Sequence, residues 1–87
     1  APSHPMIVTA VARAQLALGK KQDALATLRT GYAAFPTARG LVYAFADQLI
    51  ASKLAEEANA VLENRMQRDP NDGRLYELQA KAYSELG

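Results

Sequence analysis

The sequence predicts an all-α fold built from antiparallel helical hairpins, and three observations point there. Apolar residues return roughly every 3.6 residues in five separate segments, and no stretch alternates apolar and polar residues as a strand would. Gly19, Pro36 and the cluster Asp69-Pro70-Asn71-Asp72-Gly73 fall at the ends of those segments, where turns belong. Residues 34 positions apart also match: Pro36 with Pro70, Ala24 with Ala58, Leu28 with Leu62, and Asp23 with Glu57.

The first helix is expected from about Pro5 to Leu18, with apolar positions at Ile7, Val8, Val11, Ala12 and Leu16. Ser3 or His4 stands where a cap is needed, Pro5 suits a first helical turn, and Gly19 supplies the stop. The second helix runs from about Gln22 to Ala34 and places Ala24, Leu25, Leu28, Tyr32 and Phe35 on one side. Pro36 ends it, because proline lacks the N–H that a helix interior uses. Gly31 lies inside this helix and costs about 1 kcal/mol relative to alanine. Close approach by another helix would explain it, and simple tolerance is the other reading. The third helix is expected from about Ala38 to Ala51, carrying Leu41, Val42, Phe45, Leu49 and Ile50 inward. After the connection Ser52-Lys53 comes a fourth, about Ala55 to Arg68, with Ala58, Val61, Leu62 and Met66 inward. Asn71 or Asp72 then caps a fifth, about Gly73 to Leu86, carrying Leu75, Tyr76, Leu78, Ala82, Tyr83 and Leu86.

The long-range match extends beyond those pairs. Val8, Val42 and Tyr76 share one register, as do Ala12, Ala46 and Ala80. Gly19 and Gly87 lie two periods apart, with Lys53 between them. Small residues let two helices of a hairpin approach, larger ones fill the space, and the proline ends each second helix. A single hairpin cannot bury its apolar face, so such units stack. The expected organisation is one domain over 1–87, with repeats at about 5–36 and 39–70 and a partial one at 73–87. The closing phrase "SELG" repeats "LALG" of the first hairpin, so the chain is expected to be a fragment of a longer protein that breaks off inside its third hairpin.

Composition removes several functions. Ten Lys and Arg balance nine Asp and Glu for a net charge of +1, which gives no electrostatic case for nucleic acid or an anionic membrane. There is no cysteine, hence no disulfide, thiolate zinc site or cysteine nucleophile. No apolar run approaches the roughly 18 residues of a spanning helix. His4 is the sole histidine, and zinc ligation needs several spaced donors, so a solvated or capping role is expected for it. Glu56 and Glu57 point about 100° apart on a helix and stand at its start, where negative charge is favourable. That placement explains them better than catalysis does. No glycine-rich phosphate loop exists, and "KKQD" reads as a turn and helix start. Helical spacing assigns Tyr32, Phe35, Phe45, Tyr76 and Tyr83 to packing.

The period and its small and large positions resemble the tetratricopeptide repeat (TPR), whose unit is 34 residues. First-helix positions fall at Val8, Val11, Ala12 and Gln15, at Val42, Phe45, Ala46 and Leu49, and at Tyr76, Gln79, Ala80 and Tyr83. Second-helix positions fall at Ala24, Leu28, Gly31 and Pro36, then at Ala58, Leu62, Arg65 and Pro70. Gln15, Gln79 and Arg65 depart from the family pattern, and Lys53 replaces a turn glycine. The resemblance implies a TPR-like α-α superhelix of five antiparallel helices, two full repeats plus the first helix of a third. It also implies a concave face for binding protein or peptide. By register that face comprises Met6, Thr9, Arg13 and Leu16, then Tyr43, Asp47 and Ile50, then Arg74, Glu77, Lys81 and Ser84. Some family members hold a terminal carboxylate with Lys and Asn. Thr9 and Arg13 occupy two of those places here, so that clamp is expected to be absent.

A narrower resemblance lies in "YAFADQLIASKLAEEANAVLENRMQRDP" followed by "DGRLYELQAKAYSELG", with "SHPMIVTAVARAQLALGK" before them. These stretches are similar to the C-terminal repeat region of periplasmic HExxH zinc metallopeptidases. That resemblance implies a periplasmic location and a role in outer-membrane protein quality control. No HExxH is present, so the zinc would belong to a catalytic domain outside this chain, and no cofactor is expected within it. A generic TPR adaptor, or a structural or oligomerisation spacer unrelated to a protease, stays open. Last, the fifth helix is expected to leave part of Leu75, Leu78, Ala82 and Leu86 without cover, a face suited to self-association.

Overall fold

A computed structural model describes residues 4–87. Its helices are α1 (Pro5–Ala17), α2 (Lys21–Ala34), α3 (Arg39–Ala51), α4 (Ala55–Met66) and α5 (Gly73–Leu86), with no strand among the described residues. The fold is all-α, as expected, and the ends of the helices lie within two residues of the expected ones. Of the two candidate caps of α1, His4 takes the role: its Nδ1 accepts from the Met6 N–H at 3.1 Å. Ser3 lies outside the described residues. Asp72 caps α5 by accepting from the Arg74 N–H at 3.0 Å. The chain divides into two compact units, with the division between Phe45 and Ala46, inside α3.

In the first unit α1 packs on α2. Val8 and Ala12 of α1 and Ala24, Leu28 and Gly31 of α2 are buried. Gly31 is the point of closest approach. A Cβ built on it would overlap Val8 Cγ1 and lie 3.2 Å from Val8 Cβ and Cγ2. Close approach, not tolerance, therefore accounts for this glycine. Beyond that contact, the Phe45 ring lies 5.2 Å from that of Tyr32, tilted by 38°, and the Arg29 guanidinium sits 5.6 Å above it. The apolar side of α1 is narrower than the periodicity suggested. Ile7, Val11 and Leu16 are exposed, because two side chains spaced i, i+4 suffice to seat α1 against the glycine.

In the second unit α4 packs on α5. Ala55, Ala58, Val61 and Leu62 are buried on α4, and Leu75, Leu78 and Ala82 on α5. Each buried leucine of this kind contributes roughly 1.5–3 kcal/mol. The expectation for α5 is met only at Leu86. Leu75, Leu78 and Ala82 are fully covered, and of the four only Leu86 is exposed. The other apolar residues on the uncovered side are Tyr76 and Tyr83, 50% and 51% exposed, so packing does not account for these two tyrosines. Spacing i, i+3, i+7 picks out the stripe that meets α4; Tyr76 and Tyr83 stand on a different side of the helix. Tyr76 is fixed instead by its hydroxyl, which donates to the Pro70 carbonyl at 2.8 Å.

The 34-residue recurrence appears in the backbone as well as in the letters. At the end of α1 the Lys20 N–H donates to the Gln15 carbonyl at 2.8 Å, and at the end of α3 Leu54 donates to Leu49 at 2.8 Å. Between these donors and acceptors stand Gly19 at φ +79° and Lys53 at φ +66°. At the end of α2 Phe35 donates to Gly31 at 2.8 Å, and beyond α4 Asp69 donates to Arg65 at 3.0 Å. The residues that break the letter pattern each find a local solution. Thr27 Oγ1 donates to Gln15 Oε1 at 2.7 Å, and Gln79 Nε2 donates to Asn59 Oδ1 at 2.9 Å. Arg65, standing where the earlier repeat has Gly31, pairs with Asp69 at 3.1 Å with its side chain only 11% exposed.

Candidate functional site

On α1, Met6, Thr9, Arg13 and Leu16 follow one another at i, i+3, i+7 and i+10, so they share a face. Met6, Arg13 and Leu16 are exposed and Thr9 is half-buried, its hydroxyl donating to the Met6 carbonyl at 3.0 Å. Three of these residues, Met6, Thr9 and Arg13, border a hollow of about 290 Å³ completed by residues of α3, among them Gly40, Leu41 and Ala44. Sequence reasoning assigned Leu41 to the core and did not single out Gly40 and Ala44. One signal was legible: Gly40 stands at the register of Met6 and Arg74, both long side chains. A Cβ on Gly40 would meet nothing within 4 Å. Tyr43, the remaining expected residue of this unit, is half-buried.

In the second unit the expected residues are largely occupied with each other. Lys81 Nζ donates to Asp47 Oδ1 at 2.7 Å, bridging two residues one repeat apart. Arg74 Nη1 donates to Glu77 Oε2 at 3.2 Å along α5, and Ser84 is exposed. Ile50 needs correction: it is 2% exposed, part of the core, and offers no surface to a partner. Ile50 follows the fully buried Leu49 in the apolar stripe of α3, and burial of that stripe overrides its place in the register. Arg13 is the contrast, with no hydrogen-bond or ion-pair partner among the described residues, and no other charged residue on α1.

A second hollow of about 370 Å³ lies in the second unit, where Lys53, Leu54 and Glu56 meet Glu85 and Leu86. Lys53 Nζ stands 3.6 Å from Glu85 Oε2 there. Glu56 and Glu57 occupy the first turn of α4, as the sequence indicated. Leu54, Glu85 and Leu86 were not anticipated as a group, since it is the packing of α5 on α4 that brings the end of one to the start of the other. Among the described residues no three His, Cys, Asp or Glu side chains are placed to hold a metal, and no helix is long and apolar enough to cross a membrane. The described surface carries exposed apolar groups and paired charges, with the Arg13 guanidinium left unpaired beside the first hollow. No protein-family model matches the chain, and neither a curated protein nor a solved structure matches it.

Proposed function

We propose that this chain is a protein–protein interaction module of the tetratricopeptide type, and that it does no catalysis of its own. The observation that carries this is the Lys81–Asp47 bridge. Its two ends are 34 residues apart at 2.7 Å, so successive repeats in the second unit set the same register position side by side. A face assembled that way presents side chains at regular intervals, which suits an extended partner. Mixed charge and apolar groups on it suit a peptide or protein loop better than a small anion.

The parent we propose is a periplasmic HExxH zinc metallopeptidase acting in outer-membrane protein quality control, with this segment recognising substrate or partner. The sequence similarity described above supports it. An open reading frame carrying a secretion signal and an HExxH domain ahead of this segment is the expected finding; a frame without them removes the protease parent and leaves the binding module. The binding role is tested by retention of partners from envelope extract on the wild-type chain and on Arg13→Glu and Lys81→Glu, with helix content checked by circular dichroism. Loss of the same partner on either variant is expected, and identical partner sets on all three count against the groove. A structural spacer, the second reading, is favoured by the half-exposed Tyr76, Tyr83 and Leu86 of α5, which offer an apolar side for self-association.

A further inference from the structure

We propose that the hollow beside Gly40 receives one apolar side chain of an extended peptide, and that Arg13 holds an Asp or Glu side chain next to it in that peptide. This deepens, and rests on, the binding role proposed above. Gly40 lines the hollow and brings no side chain to it. Met6 and Arg74 hold the register position one repeat before and after Gly40, and a Cβ at Gly40 would still find open space. Its walls are apolar, from Met6, Leu41 and Ala44, and its volume of about 290 Å³ is at the small end of binding pockets. That size suits a single side chain of a partner better than a whole small molecule.

The charge at its rim selects the neighbour. Arg13 is the one charged residue bordering the hollow, and α1 carries no acidic residue at all. A guanidinium offers five donors in a planar fork that fits a carboxylate through two parallel bonds. Thr9, one turn before Arg13, borders the same opening, its hydroxyl donating to the Met6 carbonyl. A hydrophobic anchor with an adjacent carboxylate is therefore complementary to what the first unit displays, and a basic peptide is not.

The test uses the full chain, immobilised, against a displayed library of short random peptides whose C-termini are blocked by the display protein. Enriched peptides are expected to share Leu, Ile or Met within two residues or so of Asp or Glu. The best of them, synthesised with a fluorescent label and a C-terminal amide, is then titrated against three chains. Gly40→Met is expected to weaken binding about tenfold by filling the hollow, with a melting temperature unchanged or raised, since the position is exposed helix and has room. Arg13→Glu is expected to weaken it by a similar factor, and replacing the peptide's carboxylate by Lys is expected to recover binding to Arg13→Glu alone. Enriched peptides that bind Gly40→Met and Arg13→Glu as well as wild type overturn this subsite while leaving the binding module in place. No enrichment on the wild-type chain overturns both.

Discussion

Gly31→Ala is the sharpest structural test, because two known effects oppose each other and the geometry says which prevails. Alanine in a helix interior gains about 1 kcal/mol over glycine. Its methyl, however, would overlap Val8 Cγ1, and Val8 is fully buried with no room to yield. Overpacking of that kind costs about 1–3 kcal/mol. The net expectation is a loss of up to about 2 kcal/mol, read by urea unfolding followed by circular dichroism. Val8→Ala alone should cost about 2–3 kcal/mol from lost burial and the space left behind. In the double variant the methyl at position 31 enters that space and the propensity gain returns. The two changes should therefore couple by about 1–2 kcal/mol in favour of the double variant. Additivity within about 0.5 kcal/mol would refute the reasoning, since it would mean α2 does not lie against Val8. So would a Gly31→Ala chain stabilised by the full propensity gain.

Other expectations follow from the turns and the partly buried ion pair of Arg65 with Asp69. Lys53→Gly should stabilise the chain by about 0.5–1 kcal/mol, because a left-handed residue other than glycine costs about 1–2 kcal/mol and glycine's own extra entropy returns part of it. The exposed Lys53–Glu85 contact takes little away in the same change. Gly19→Ala should do the reverse, by about 1 kcal/mol, or a fall of roughly 4–8 °C in melting temperature; two neutral results would refute the role given to positive φ. Arg65→Ala should cost about 1–3 kcal/mol, since it removes a largely buried stem and leaves Asp69 without its closest cation. A change within experimental error there would show that Arg65 is merely accommodated.

Most of the helical architecture was legible in the sequence, for local physical reasons. Pro36, Gly19 and the Asp69–Gly73 cluster act on the chain wherever they stand, so they fix helix ends without reference to neighbours. The buried stripes of α3 and α4 also followed from periodicity. What periodicity does not contain is how wide a covered face is, because that depends on the neighbouring helix. Ile7, Val11 and Leu16 have the right spacing and stay exposed, while Tyr76 and Tyr83 look like core residues and are not. The candidate site was legible to a similar depth. Register put Met6, Thr9 and Arg13 on one side of α1, but the hollow they border is completed by Gly40, Leu41 and Ala44 of α3, which periodicity does not place beside them.

Letters and geometry carry the repeat with different fidelity, and the turns show why. The hydrogen bond closing α1 and the one closing α3 have the same length and the same register, yet one turn holds Gly19 and the other Lys53. What the hairpin requires at that point is a left-handed backbone, and glycine is only the residue that supplies it at least cost. The same holds for Gln15 and Gln79, where an apolar position is filled by an amide that finds a donor or acceptor on a neighbouring helix. Each of these residues has a partner within its own unit, at Thr27, Asn59 or Asp69. A repeat tolerates this drift because its constraint is on where the backbone turns and how closely helices approach. Gly31, where approach itself is the constraint and a methyl group has no room, is the position at which drift within the first unit should be least tolerated.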